Sequence, residues 1–164
     1  MSKTLENLKA AFAGESQANR KYLAYAAKAE QEGLPQVARL FRAAAEAETI
    51  HAHAHLRLMK GIGTTAENLK DAVAGESYEF QTMYPEMIKD AQAEDERAAE
   101  RYFGFANAAE EVHANLYKEA AEKLGDLPAG EYYVCSVCGH IHLGQPEEKC
   151  PICGAAPKAY FQVD

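Results

Sequence analysis

The tetrapeptide Ala-Gly-Glu-Ser occurs twice in this chain, at residues 13–16 and 74–77, and each copy is followed at nearly the same distance by Glu-x-x-His. Glu48-Thr-Ile-His51 begins 33 residues after Glu15, and Glu110-Glu-Val-His113 begins 34 residues after Glu76. A helix rises about 1.5 Å and turns about 100° per residue, so a Glu and a His three apart share one face and can reach one ion. One such tetrapeptide is ordinary surface decoration. Its duplication at matched offsets from a duplicated Ala-Gly-Glu describes a two-metal carboxylate centre, and that requirement dictates most of the fold.

Two helix pairs, each supplying a Glu and then Glu-x-x-His, form the inward-facing ligand arrangement of ferritin-like di-iron bundles. The hydrophobic period supplies the four helices. The first runs from about Thr4 to Glu32, with Leu5, Leu8, Phe12, Tyr22, Leu23 and Ala26 on its apolar stripe, and ends at Gly33-Leu34-Pro35. The second opens at Pro35, a natural first-turn residue, and continues through Leu40, Phe41, Ile50, Leu56 and Met59 to Gly61. Thr64-Thr65-Ala66-Glu67 reads as a capping box for a third helix that reaches about Ala93 despite Pro85. The fourth spans about Glu96 to Leu124, and Gly125-Asp-Leu-Pro-Ala-Gly130 forms a hinge.

The two halves differ in two places. Glu79 falls where the first repeat has Ala18, so one side of the centre has an extra carboxylate unless Glu79 is merely solvated. The second half is also one residue longer, and the surplus lies before Tyr84, because Tyr22 and Tyr84 align only after the shift. One inserted residue beside Pro85 predicts a π-bulge or kink in the third helix, a device that turns a side chain towards a site.

All four cysteines stand in two Cys-x-x-Cys-Gly knuckles, Cys135/Cys138 and Cys150/Cys153, with eleven residues between them. That spacing suits a tetrahedral metal in a reducing compartment rather than a disulfide framework. Four thiolates fit structural zinc as well as iron. Attachment to a two-metal bundle and the Cys-Pro-x-Cys-Gly of the second knuckle, as in rubredoxins, favour a redox-active iron, with zinc a possible substitute. His140 and His142 flank the first knuckle and are expected to be exposed neighbours of the metal. His53 and His55 are expected at the surface or behind the ligands.

A net charge of −8 argues against a nucleic-acid or acidic-membrane partner, which would need a basic surface, and part of the acid excess is ligand carboxylate awaiting cations. No apolar run approaches the ~20 residues of a membrane span and the N-terminus lacks a signal-peptide core, so a cytoplasmic protein is expected. No phosphate loop, Ser-His-Asp set or nicotinamide or flavin fingerprint is present, so electrons must come from another protein.

With Ala-Gly-Glu at 13–15, Glu48-Thr-Ile-His51, Ala-Gly-Glu-Ser-Tyr-Glu at 74–79, Met83-Tyr84-Pro85, Glu110-Glu-Val-His113 and the four-cysteine module, the chain resembles the rubrerythrin family over essentially its whole length. The resemblance implies a mainly α fold: a ferritin-like four-helix bundle over 1–126, a linker at 127–130 and a rubredoxin-like domain with short β-strands over 131–164. It implies a di-iron site held by Glu15, Glu48, Glu76, Glu79, Glu110 and His113, with His51 and Glu79 exchanging on one iron as its oxidation state changes. Tyr22 and Tyr84 resemble the family's tyrosines that hydrogen-bond to ligand carboxylates, and Cys135, Cys138, Cys150 and Cys153 would hold the single iron.

Charge counting gives the exchange a reason. Two ferrous ions with four carboxylates and neutral histidines sum to zero, as do two ferric ions with five carboxylates and a hydroxide, and buried uncompensated charge is costly.

The implied activity is NADH-linked reduction of hydrogen peroxide to water, with an external donor such as rubredoxin or an NAD(P)H-dependent reductase. The alternative is a ferroxidase, iron-storage or oxygen-reducing protein with a structural metal tail. Because the tail is tethered near the end of the fourth helix, electrons are expected to pass from one subunit's tail to another subunit's di-iron site. In a bundle whose second and third helices run parallel, the chain must also return ~30 Å between His51 and Glu76, at about 1.5 Å per residue. Four residues from Gly61 to Thr64 extend only ~14 Å. Either helix ends unwind, or the chain forms a domain-swapped homodimer, which is the favoured expectation.

Overall fold

The computed structural model of the chain describes residues 2–163; Met1 and Asp164, the outermost residues of the two expected domains, lie outside the described residues. The chain divides into two compact units, Met1–Gly63 and Thr64–Asp164.

The first unit is a helical hairpin of α1 (Lys3–Gln31) and α2 (Pro35–Leu58). Ser2 caps α1 by accepting from the Leu5 amide, and Gly33, at φ +74°, supplies the left-handed residue that ends it. Its buried residues are all alanine, namely Ala26, Ala29, Ala38, Ala45 and Ala52, which lets the two backbones approach closely. Asn19 fixes the register by donating to the Ala45 carbonyl at 2.7 Å and the Thr49 hydroxyl at 2.8 Å. Leu40, Ile50 and Leu58, by contrast, are each about two-thirds exposed, at 69%, 66% and 68%.

The second unit begins with α3 (Thr65–Tyr78), and the capping box expected at Thr64 is present: its hydroxyl accepts from the Glu67 amide while Glu67 accepts from the Thr64 amide. The π-helical turn read from the inserted residue is also there, at Glu79–Met83, before α4 (Tyr84–Ala93). Pro85 has no N–H to donate and its ring would crowd the carbonyl one turn back, so the widened turn just before it accommodates both defects. α5 (Arg97–Glu122) packs along α3 and α4 through Ala91, Ala106, Ala109 and Ala114. The observed helix ends differ from the expected ones by a few residues at most, the largest difference being α2, which stops at Leu58 because Lys60 turns left-handed at φ +57°.

The tail is a three-stranded antiparallel sheet in the order β2-β1-β3, with β1 Tyr132–Cys135, β2 Ile141–Leu143 and β3 Tyr160–Val163. Both knuckles have the same backbone geometry. The Gly139 amide donates to the Cys135 carbonyl and the Gly154 amide to the Cys150 carbonyl, each at 2.9 Å, and both glycines are left-handed at φ +79° and +74°. Only glycine adopts that conformation without strain, hence the Gly after each Cys-x-x-Cys.

Candidate metal centres

Each half of the repeat brings its three ligands together on its own helices. Glu15, Glu48 and His51 form one group, and Glu76, Glu110 and His113 another, with the ligand atoms in each group within 4.8 Å of one another. An ion bound at about 2.0–2.2 Å to oxygen and nitrogen fits such a cluster, and the mix of carboxylate and imidazole suits iron or manganese.

The two histidines are held differently. His51 Nδ1 lies 2.9 Å from Glu48 Oε2, and its side chain is 56% exposed. His113 is only 16% exposed: its Nδ1 lies 2.6 Å from Glu110 Oε2 and its Nε2 lies 3.0 Å from the Gly139 carbonyl. A carbonyl can only accept, so Nε2 carries the proton and the Nδ1 lone pair is left facing the carboxylates, where an ion would sit. His113 is thus pinned at both nitrogens.

The carboxylates around it are held close together. Burial, then a hydrogen bond and charge repulsion from Glu110, push Glu76 up to about 7. Glu79, presented by the π-turn, lies outside the three-residue group, yet burial and then the Glu110 charge raise its carboxyl, and its own charge contributes to the rise at Glu76. Tyr84 is raised by burial and then by the charges of Glu110 and Glu79, which places its ring beside the same carboxylates. Tyr22 packs against Phe41 and Tyr25, with ring centroids 6.1 and 6.3 Å apart.

In the tail, Cys135, Cys138, Cys150 and Cys153 are free thiols whose sulfurs lie within 4.8 Å of one another. The Cys135–Cys153 and Cys138–Cys150 sulfur pairs are 3.7 and 3.5 Å apart. A tetrahedron with metal–sulfur bonds of about 2.3 Å has edges of about 3.8 Å, so the four are spaced for a metal. Burial pushes the thiols of Cys138 and Cys153 up. Cys150 is also buried, but the Cys153 and Ile152 amides and the Tyr160 hydroxyl bring it down to about 6.

Two expectations about the tail are corrected. The tail does not stay by the end of the fourth helix: the first knuckle rests against the middle of α5, with the Gly139 carbonyl on His113 and Phe105 packed against the cysteine cluster. The hinge after α5 lets the tail fold back along that helix, so the premise for sending electrons only to another subunit does not hold. His140 is not an exposed neighbour either; it is 7% exposed and bonded through Nδ1 to the Tyr160 hydroxyl at 2.7 Å. His142 is half-buried, with Nδ1 donating to the Gly144 carbonyl. The contacts of the Gly139 carbonyl and of Tyr160 were missed, since the first is a backbone atom within the knuckle motif and the second lies outside the ligand motifs. His53 is exposed and His55 half-buried, as surface or backing residues would be.

Two carboxylate-histidine groups on long helices joined to a four-thiolate tail define a di-iron carboxylate protein with a rubredoxin-like module. Residues 6–121 match the family described as Rubrerythrin, and residues 133–162 match its rubredoxin-like domain. Rubrerythrin-2 of Clostridium acetobutylicum is 36% identical, covering 98% of this chain and 96% of the relative. Nigerythrin of Nitratidesulfovibrio vulgaris is 40% identical, over 92% of this chain and 81% of the relative. A solved structure of nigerythrin in a partially reduced state superposes with a TM-score of 0.60 at 37% identity, covering 99% of this chain and 88% of that one. The chain belongs to the rubrerythrin family, with that family's ferritin-like fold, di-iron site and four-cysteine rubredoxin-like site. Among the described residues no helix is long and apolar enough to cross a membrane.

Proposed function

We propose that this chain is a non-haem di-iron peroxidase that reduces hydrogen peroxide to two waters, drawing electrons through its own tail from an external NAD(P)H-linked donor such as rubredoxin or a reductase. The observation that carries this reading is the His113 ring, hydrogen-bonded at one nitrogen to Gly139, the residue after Cys138, and set at the other beside Glu110. A storage or ferroxidase centre needs no such return path. When bound, iron held by the carboxylates and histidines would supply the two electrons that, with two protons, reduce peroxide to two waters, and iron held by Cys135, Cys138, Cys150 and Cys153 would replace them one at a time, re-reduced after each by the external donor.

The chain's own residues hold and adjust the rest. Glu15, Glu48, Glu76, Glu79, Glu110 and His113 are the proposed ligands. His51 and Glu79 are the proposed pair that exchanges on one ion: His51 is bonded through Nδ1 to Glu48 on its own helix, whereas His113 is held at both nitrogens and cannot move without breaking the Gly139 bond. Tyr84, whose hydroxyl is raised by burial and by the Glu110 and Glu79 charges, is the proposed donor to the carboxylates, and Tyr22 is its proposed counterpart in the other half. The handover runs from Cys138 through the Gly139 peptide to His113 of the same chain.

The proposed assembly is a domain-swapped homodimer in which each centre combines Glu15, Glu48 and His51 of one chain with the partner's Glu76, Glu110 and His113. Six residues separate Leu58 from Thr65, too few for the ~30 Å return, and exposed Leu40, Ile50 and Leu58 provide apolar surface for a second chain to cover. Four unpaired thiols spaced for a metal suit a reducing cytoplasm. The test is anaerobic stopped-flow mixing of fully reduced, iron-loaded protein with stoichiometric peroxide or oxygen, following the visible ferric-thiolate absorption of the tail. Rapid appearance with peroxide and slow appearance with oxygen are expected. No appearance with either would break the coupling and favour the ferroxidase or storage reading.

A further inference from the structure

We propose that the groove between the start of α5 and the first knuckle is the docking site of the external electron donor, a small protein that presents an acidic rim around an apolar contact. The inference rests on the donor half of the proposed function, in which electrons enter through the tail. Its test reads binding alone, so it can fail while the peroxide chemistry stands, and the reverse.

The groove is lined by Arg97, Ala98, Arg101, Tyr102 and Phe105 of α5 and by Val137 of the first knuckle. Positions 97, 101 and 105 stand on successive turns of one helix face. The groove leads straight to the thiols: Phe105 packs against the cysteine cluster, and Val137 lies in sequence between Cys135 and Cys138. Tyr102 and Val137 are 58% and 45% exposed, so the groove offers an apolar contact to a partner. The second knuckle has no such offer, because its Ile152 is packed against the cysteine cluster.

Charge selects the partner. The chain has 25 acidic residues against 17 Lys and Arg, yet the only charged residues lining this groove are two arginines. The Arg101 guanidinium lies 5.5 Å from the centre of the Phe105 ring and, among the described residues, has no carboxylate partner. Arg97 is paired with Asp95 at 3.2 Å, but the two side chains are 85% and 82% exposed, and such a pair is readily exchanged for a partner's carboxylate. A second recess on the tail, beside Pro151, is lined by Glu147, Glu148 and Lys149 and has the opposite sign. An acidic donor is therefore drawn to the first knuckle and turned away from the second. A small patch suffices, since electron-transfer encounters bury less than about 1,200 Å² and must separate after each electron.

The test is an NMR titration of ¹⁵N-labelled, zinc-loaded rubredoxin of net negative charge with oxidised, iron-loaded full-length protein at one fixed ionic strength, so that binding is read without electron transfer. Arg97→Glu with Arg101→Glu is expected to raise Kd about tenfold, and Val137→Glu to raise it by a similar factor. Lys149→Glu with Lys158→Glu makes the same change in net charge at exposed positions elsewhere on the tail and is expected to leave Kd within about twofold. Equal affinity of the parent and the arginine variant, an equal loss in the lysine variant, or a parent that does not bind overturns the proposal. Should loss of Arg101 from the Phe105 ring disturb the fold, Arg97→Glu alone decides, with an expected rise of about threefold; an unchanged Kd there overturns the proposal.

Discussion

Glu76 offers a quantitative test of how tightly the carboxylates are gathered. Its folded value of about 7, against an ordinary 4.5, means that the metal-free folded protein holds a proton which the unfolded chain releases. The stability that proton confers is fully present below about pH 4.5 and is lost as pH rises through about 7, since stability falls with pH wherever the native state binds more protons. The difference of about 2.5 between those values corresponds to a ceiling of ~3.4 kcal/mol at about 1.36 kcal/mol each. Water reaches this site, and screening reduces the figure to ~1–2 kcal/mol. Glu76→Gln keeps the shape and removes the titration, so the metal-free variant should be more stable than the parent by that amount at pH 8 and should lose the advantage by pH 4.5. Urea unfolding of chelator-treated protein, at one fixed protein concentration, measures both. Parallel pH profiles for parent and variant would refute the crowding of Glu76 against Glu110. With iron present the order should reverse, because the ion takes the proton's place and Gln cannot ligate as a carboxylate does.

Zinc at the four cysteines should leave the circular dichroism and melting temperature near those of the iron form while abolishing the ferric-thiolate absorption and peroxide turnover, because zinc holds the same tetrahedron without changing oxidation state. Deleting Thr82 should close the π-turn to ordinary helix and restore the seven-residue spacing seen from Glu15 to Tyr22, leaving Tyr84 and α4 in place while Glu79 loses the turn that presents it, so iron content at the di-iron site should fall while helicity persists. Parent-like iron content in that deletion would contradict the role given to the bulge.

Much of this site is legible in the residues because helix geometry is local. Glu-x-x-His fixes a shared face whatever surrounds it, and both three-residue groups close as the spacing requires. The π-turn is legible for the same reason: one surplus residue between Glu76 and Tyr84 must be absorbed within two turns, and Pro85 marks where. Gly139 could not be read this way. Its backbone carbonyl has no side-chain signature, and its place on His113 depends on how the hinge after α5 folds back, which no periodicity encodes. His140 was misjudged because a histidine after a knuckle is usually solvated, and only the return of β3 beside β1 brings Tyr160 over it. Glu79 lies between these cases: alignment of the repeats singles it out, and the charges it shares with Glu76 and Glu110 place it beside the centre but outside the tight group.

In the proposed dimer each centre is completed by a partner chain and served by the tail on its own α5, an arrangement that mixed dimers can reveal. One tagged chain would carry Glu15→Gln with Glu48→Gln, and a second, differently tagged chain Glu110→Gln with His113→Gln. In a swapped dimer the defects collect in one centre and leave the other whole, so the purified mixed dimer should retain about half the parent's peroxide turnover although each chain alone has none. Adding Cys153→Ser to the chain with intact Glu110 and His113 should then abolish turnover, while adding it to the other chain should change nothing. Inactive mixed dimers would rule out the swapped dimer, and loss of turnover that follows the other chain's cysteine would rule out transfer from the tail to its own α5.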